Sequence, residues 1–198
     1  MTTPAISFGR DIPDDAELRL CGDISGGKRA IELGIGRSHN AIAFALAGAK
    51  AIAVDPDQSR IDSLRAAAAR AEVSVSCQIT DLADLGFATS ASIELVVADH
   101  TIGDDIDDLG RLLRQVHRVL RSSRPFVISV PHPFAGVHST DEMGSKVLPY
   151  GTVGRTIGDW HTQLGRANFR VDHILELGVS EISPVPTTLV IRAQKEGD

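Results

Sequence analysis

The stretch "IELGIGRSHN" (residues 31–40) joins two apolar runs through a turn that holds an acid and two glycines. Glu32 lies inside the first run, and Gly34 and Gly36 follow it closely. A plain turn needs one glycine and has no use for a carboxylate on its buried side. The pattern therefore indicates a backbone shaped to lie against a ligand. Ser38 is placed to cap a helix over residues 38–47, whose free N–H groups favour a carboxylate or phosphate.

Short apolar runs and amphipathic stretches alternate along the rest of the chain. The runs predict strands over residues 29–34, 51–55, 74–80, 93–99, 125–130, 170–177 and 187–193. The amphipathic stretches predict helices over residues 38–47, 59–71, 107–120 and 156–167. This alternation is typical of βαβ units, whose mostly parallel sheet is covered on both faces. We expect an α/β, Rossmann-like three-layer sandwich with a seven-stranded sheet.

The chain of 198 residues is long enough for one domain with a substantial core. Residues 1–28 are polar, and we expect them to form a short N-terminal extension to a domain over residues 29–198. Residues 131–155 contain prolines, glycines and histidines without a period. Long irregular segments in compact domains are often functional. We expect residues 134–155 to form a substrate lid.

Composition and charge exclude several classes of protein. The net charge of −6 disfavours a broad nucleic-acid surface. Cys21 and Cys77 are far apart and lack CxxC spacing, which argues against a disulfide framework and a metal site. Residues 1–20 contain no apolar signal segment, and no apolar run approaches about 18 residues. We expect a soluble cytoplasmic protein without nucleic-acid or membrane partners, either a monomer or a homodimer.

Polar residues follow each predicted parallel strand. They are Asp55, Thr80 and Asp81, Asp99 and His100, and His132. In open α/β sheets a ligand binds beyond the carboxyl ends of the strands. An acid about 20 residues after a glycine turn is placed to accept hydrogen bonds from two ribose hydroxyls. The glycine turn and Asp55 together predict nucleoside binding.

The turn favours S-adenosylmethionine (SAM) over NAD. Dinucleotide-binding turns follow G-x-G-x-x-G, and here His39 stands at the last glycine position. A pyrophosphate gains nothing from the carboxylate of Glu32, whereas a ligand with an ammonium and a sulfonium does. An NAD(P)-dependent oxidoreductase remains the alternative.

These residues resemble the first motif of class I SAM-dependent methyltransferases, an acid followed by spaced glycines. The small-molecule branch around the ubiquinone/menaquinone biosynthesis C-methyltransferases is the most similar. The later stretches "QVHRVL" (115–120), "FVISVPHPF" (126–134) and residues 155–176 also look like that branch. The resemblance covers residues 29–195 and implies one antiparallel strand near the C-terminus.

By this resemblance Glu32 and the glycine turn hold the methionine part of SAM, and Asp55 binds both ribose hydroxyls. Asp81 and the backbone of Leu82 bind the adenine edge, while residues near Asp99 and His100 face the methyl group. The cofactor-binding residues so implied are Glu32, Gly34, Gly36, Asp55, Thr80, Asp81, Leu82 and Asp99.

The predicted activity is methyl transfer from SAM to a small-molecule acceptor, mainly by positioning, with S-adenosylhomocysteine as product. His100 and His132 are candidate general bases. Phe134, His138 and Tyr150 are candidates for the substrate wall. The unusual "DHTIGDD" after the fourth strand and the short N-terminal region motivate another alternative, a methyltransferase-like binding protein without activity.

Overall fold

The computed structural model describes residues 5–98, 108–141, 144–152, 154–181 and 184–197. Its strands are β1 (Arg29–Leu33), β2 (Lys50–Val54), β3 (Val75–Gln78), β4 (Leu95–Ala98), β5 (Pro125–Pro131), β6 (His138–Asp141), β7 (Gly144–Val147), β8 (Phe169–Leu177) and β9 (Thr188–Lys195). Its helices are α1 (Asp15–Leu18), α2 (Asn40–Leu46), α3 (Gln58–Arg70), α4 (Leu109–Val119) and α5 (Ile157–Arg166).

Seven strands form one sheet in the order β3-β2-β1-β4-β5-β9-β8. The strands from β3 to β5 in this order pair in parallel. Strand β9 pairs antiparallel with both β5 and β8. The predicted mostly parallel, seven-stranded sheet with one antiparallel strand is therefore confirmed. Chain order reverses beside β1, which places a ligand crevice beyond the carboxyl ends of β1 and β4.

The sheet separates two apolar layers because successive side chains of a strand point to opposite faces. Ile31 of β1 packs in one core cluster with Leu112 of α4 and Trp160 of α5. Ala30 packs in the other cluster with Phe44 of α2 and residues of α3. This arrangement is the expected three-layer sandwich.

The segment before β1 is part of the packed body. Ile6, Phe8, Leu20, Cys21 and Ile24 are all buried and belong to the cluster on the α2 face. The division of the chain at residue 29 describes a change of sequence pattern and stays a prediction about domain organisation.

The start of α2 differs from the prediction. The helix begins at Asn40, and His39 occupies the N-cap position in the left-handed conformation, with φ at +49°. The prediction that Ser38 caps this helix was wrong, because the carboxylate of Glu32 takes the first amides of the helix.

The excursion after β5 contains regular structure that its sequence pattern did not indicate. A short 3-10 helix covers Ala135–Val137, and β6 pairs antiparallel with β7. The N–H of Leu148 donates to the carbonyl of Val137 at 2.8 Å, which closes the base of this hairpin. No helix in the described ranges is long and apolar enough to cross a membrane.

Candidate active site

The glycine turn leaves β1 at the carboxyl edge of the sheet. Gly34 has a φ of +71°, where a side chain would be strained. Its N–H donates to the carbonyl of Val54 at 2.8 Å, which fixes the turn to the end of β2. The backbone conformation therefore favours glycine at this position.

Glu32 binds the start of α2, where the glycine turn ends. Its side chain is fully buried. One carboxylate oxygen accepts from the N–H of Asn40 at 2.8 Å, and the other from the N–H of Ala41 at 2.9 Å. The amides that were expected to attract an anionic ligand thus bind the protein's own carboxylate. Charge-assisted hydrogen bonds of this kind offset the cost of burying the charge.

Asp55 binds the glycine turn from the end of β2. It is 1% exposed, and its Oδ2 accepts from the N–H of Ile35 at 2.7 Å. Its Oδ1 accepts from the N–H of Asp57 at 2.8 Å, and Arg60 Nη1 lies 3.5 Å from Oδ2. The acid predicted for the ribose therefore lies directly against the glycine turn, at the start of α3.

An open cavity of about 340 Å³ lies between the turn and α3. Its lining residues are Ile35, Gly36, Arg37, His39, Arg60 and Ser63. Of the two arginines in this lining, Arg60 pairs with the carboxylates of Asp55 and Asp57.

The end of β3 lies beside Asp55, whose N–H donates to the carbonyl of Gln78 at 3.2 Å. Asp81 is exposed, and its Oδ1 accepts from the N–H of Ala83 at 2.7 Å. Thr80 and Leu82 flank it and are half-buried. The structure brings this turn to the same edge as Asp55, while contact with an adenine stays a prediction.

Asp99 and His100 lie outside the described residues. His132 directly follows β5 and is 3% exposed. Its Nε2 lies 2.9 Å from Glu176 Oε1, and its Nδ1 accepts from the N–H of Phe134 at 3.1 Å. This pairing requires the neutral tautomer with the proton on Nε2. Both ring nitrogens are engaged, so the geometry disfavours His132 as a general base and favours a positioning role.

The proposed substrate wall is assembled from two ends of the excursion. The rings of Phe134 and Tyr150 have centroids 6.4 Å apart, and the two residues are 41% and 48% exposed. The Tyr150 hydroxyl accepts from the N–H of Ile157 at 3.4 Å, at the start of α5. His138 is the first residue of β6. Phe134 and Tyr150 therefore present one exposed aromatic surface at the carboxyl side of β5.

Three residues at this edge escaped the sequence analysis: Asn40, Arg60 and Glu176. Arg60 had a local signal, since it stands one turn into the helix that follows Asp55. Asn40 and Glu176 had none, because their partners lie 33 and 44 residues away in the chain.

The strand order, the glycine turn and the acids at neighbouring strand ends define a class: a methyltransferase-type α/β fold. Residues 30–123 match the family model described as "Methyltransferase domain". This match confirms the predicted enzyme class over that segment. A search of curated proteins found no match.

Solved structures share this fold over almost the whole chain. A SAM-dependent methyltransferase from Mesorhizobium loti is 20% identical, with a TM-score of 0.74 over 91% of this chain and 96% of its own. The 1,6-didemethyltoxoflavin-N1-methyltransferase of Burkholderia thailandensis is 19% identical, with a TM-score of 0.65 over 92% of this chain and 75% of its own. The geranyl diphosphate C-methyltransferase of Streptomyces coelicolor is 10% identical, with a TM-score of 0.69 over 91% and 78%. The fold is therefore that of SAM-dependent methyltransferases.

Proposed function

We propose that this chain transfers a methyl group from SAM to a small-molecule acceptor. One observation carries the proposal: two buried carboxylates, Glu32 and Asp55, clamp one glycine turn between the ends of β1 and β2. The methyltransferase domain match over residues 30–123 includes this turn and supports the same conclusion.

The residues at this edge fit SAM chemically. The carboxylate of Asp55 suits ribose hydroxyl donors, and the small residues of the turn allow close approach of a ligand. Asp81 and Leu82 lie at the neighbouring strand end, where they would bind the adenine. When bound, SAM supplies a methyl group on a positively charged sulfur, which is already activated for transfer. Two of the solved structures named above were obtained with S-adenosylhomocysteine.

The chain's own contribution is to position the acceptor and exclude water. Alignment at near-attack distance supplies several kcal/mol of barrier reduction. Exclusion of water helps because transfer neutralises the sulfonium. The excursion over residues 134–155 is the proposed lid, and the exposed rings of Phe134 and Tyr150 suit an acceptor with an apolar face.

A small-molecule acceptor is supported by two neighbours of the same fold. One holds 1,6-didemethyltoxoflavin and the other geranyl diphosphate. The similarity of the sequence to the ubiquinone/menaquinone branch points the same way. The proposal also includes a cytoplasmic location, a monomeric or homodimeric state and the absence of nucleic-acid partners.

Calorimetry with SAM, S-adenosylhomocysteine and NADH tests the cofactor. We expect both sulfur nucleosides to bind and NADH to give no heat. Asp55→Asn should weaken S-adenosylhomocysteine binding by about tenfold or more, since a charge-assisted hydrogen bond contributes about 1.5–3 kcal/mol. Asp62→Asn, on the exposed face of α3, is the matched control. Binding of NADH alone would support the oxidoreductase alternative.

Transfer itself is tested with SAM labelled on the methyl group and a small-molecule cell extract. Label in any extracted compound supports the enzyme. Tight nucleoside binding without labelling would instead support the alternative of an inactive binding protein.

A further inference from the structure

The side chain of Asn40 recognises the backbone of the N-terminal segment, defined here as residues 5–9. Asn40 is fully buried at the first position of α2. Its Oδ1 accepts from the N–H of Ser7 at 2.8 Å, and its Nδ2 donates to the carbonyl of Ser7 at 2.9 Å. One carboxamide thus satisfies both backbone groups of one residue, as a neighbouring strand would.

The backbone of Asn40 belongs to the cofactor turn. Its N–H donates to Glu32 Oε1 at 2.8 Å, within the clamp that fixes the start of α2. Asn40 therefore connects β1, the end of the glycine turn and the N-terminal segment. The two hydrogen bonds to Ser7 can both form only when Oδ1 faces the N–H and Nδ2 faces the carbonyl, which fixes the orientation of the buried carboxamide.

Apolar residues also connect the N-terminal segment to the glycine turn. Ile6 and Phe8, which flank Ser7, are 8% and 0% exposed. They belong to one cluster with Ile35 of the glycine turn, which is 3% exposed. The N–H of Ile35 is the group that Asp55 binds. The N-terminal segment and the glycine turn therefore share one apolar cluster.

We infer that Asn40 is a positioning residue that couples the N-terminal segment to the cofactor turn. The inference rests on the proposed function, because the turn is taken as the SAM-binding turn. If the segment stabilises the binding form of the turn, the bound nucleoside must stabilise the segment equally, since coupling between sites is reciprocal. Without the carboxamide, both backbone groups of Ser7 lose their partner, and the segment is held to α2 by apolar packing alone.

The test combines hydrogen exchange of the N-terminal segment, residues 5–9, with calorimetry, using the full chain and S-adenosylhomocysteine. In the wild type, the nucleoside should slow exchange of the N-terminal segment. In Asn40→Ala, exchange should be fast with and without the nucleoside, and the dissociation constant should rise about tenfold, a change of about 1.4 kcal/mol. Asn168→Gly removes the same group from an exposed position after α5, where φ is +59°, and should leave exchange of the N-terminal segment and nucleoside affinity as in the wild type.

A purely structural role would speed exchange in Asn40→Ala and leave nucleoside affinity unchanged, which overturns the inference. Unchanged exchange in Asn40→Ala overturns it as well. If the wild type binds no nucleoside, the proposed function fails first, and this outcome is distinct from the other two. Ser7→Pro removes the N–H donor without altering α2, so it carries the test if Asn40→Ala does not fold.

Discussion

Glu32 and Glu94 are buried or nearly buried acids that each accept a backbone N–H. Glu32 lies near the carboxyl end of β1, whereas Glu94 directly precedes β4, at the amino end of the parallel strands. Glu32 accepts from Asn40 and Ala41 beside the glycine turn. Glu94 is 11% exposed and accepts from the N–H of Arg29 at 3.0 Å, where β1 begins. The two residues therefore separate the effect of losing a buried carboxylate from the effect of disturbing the site.

Glu32→Gln should destabilise the fold by about 1–3 kcal/mol, because an amide NH₂ then faces a backbone N–H. Urea unfolding measures this loss. Nucleoside affinity should fall as well, since the turn loses its clamp. Glu94→Gln should destabilise the fold and leave affinity unchanged. Equal affinity in both variants would show that Glu32 has no role in binding.

At the element scale, α5 begins with a capping box in which Thr156 and Asp159 bind each other's backbone N–H groups. The hydrogen bonds from Thr156 hold the pKa of Asp159 below its ordinary value of 3.8. A lowered pKa in the folded state means that the stabilisation is present above the ordinary pKa. It is lost as the pH falls through the folded-state value.

Asp159→Asn should therefore lower the melting temperature near neutral pH, and this effect should shrink as the pH falls below the ordinary pKa of 3.8. Thr156→Ala should cost about 1 kcal/mol and remove most of the pH dependence of that difference. Thermal unfolding of both variants across this pH range measures the effect. A difference that grows on acidification would contradict the assignment.

Strands β8 and β9 carry the second element-scale prediction. The register shifts between Val171 and His173, which leaves Asp172 beside Arg192 of β9. Arg192 Nε also donates to the carbonyl of Leu20 at 2.7 Å, so one guanidinium links the sheet edge to the segment before β1. Both side chains of the pair are less than 20% exposed, at 18% and 13%.

Arg192→Met should cost about 2–4 kcal/mol, because it leaves the mostly buried carboxylate of Asp172 with only His173 as a partner and removes the hydrogen bond to Leu20. Arg170→Met is the matched control, since Arg170 is 55% exposed and pairs with Glu196 at the surface. Its loss should cost less than about 1 kcal/mol. Urea unfolding compares the two, and equal losses would contradict the argument.

The parts of the fold that sequence could predict are those with a local cause. Short apolar runs such as residues 93–99 predict buried parallel strands, and the acid after a strand predicts Asp55 at the ligand edge. Which residues they contact cannot be read from the local sequence. Glu32 was expected to face a ligand, but its contacts depend on how the turn folds back toward β1. The hairpin of β6 and β7 was missed because its polar strands lack a period of two.

For the whole molecule, a nucleoside that binds only the folded chain must raise its stability. At a ligand concentration of about 100 times the dissociation constant, the gain is about 2.7 kcal/mol. For a chain of this size that corresponds to a rise in melting temperature of about 5–10 °C. S-adenosylhomocysteine should produce this shift in the wild type and little of it in Asp55→Asn at the same concentration. An equal shift of the melting temperature in both proteins would show that Asp55 does not contribute to nucleoside binding.

The hairpin of β6 and β7 is attached to the rest of the molecule at a narrow base. The N–H of Leu148 and the carbonyl of Val137 are 2.8 Å apart, so residues 138–147 begin and end at neighbouring points. In the excursion between 134 and 155, Val137 before the hairpin is 8% exposed and belongs to the apolar core, whereas Val147 at the end of β7 is 65% exposed. Because Val137 and Leu148 are hydrogen-bonded neighbours, a Gly-Gly linker is long enough to join them in place of residues 138–147.

This replacement should leave the melting temperature and the affinity for S-adenosylhomocysteine close to the wild-type values. Transfer of labelled methyl groups should be lost, because the acceptor would no longer be enclosed and kept from water. Both are measured on one preparation, by calorimetry and by the labelled-extract assay. Transfer at the wild-type rate would exclude a lid in this hairpin. Loss of affinity together with transfer would place the hairpin in the cofactor site, since a lid over the acceptor alone leaves the grip of Glu32 and Asp55 on the turn intact.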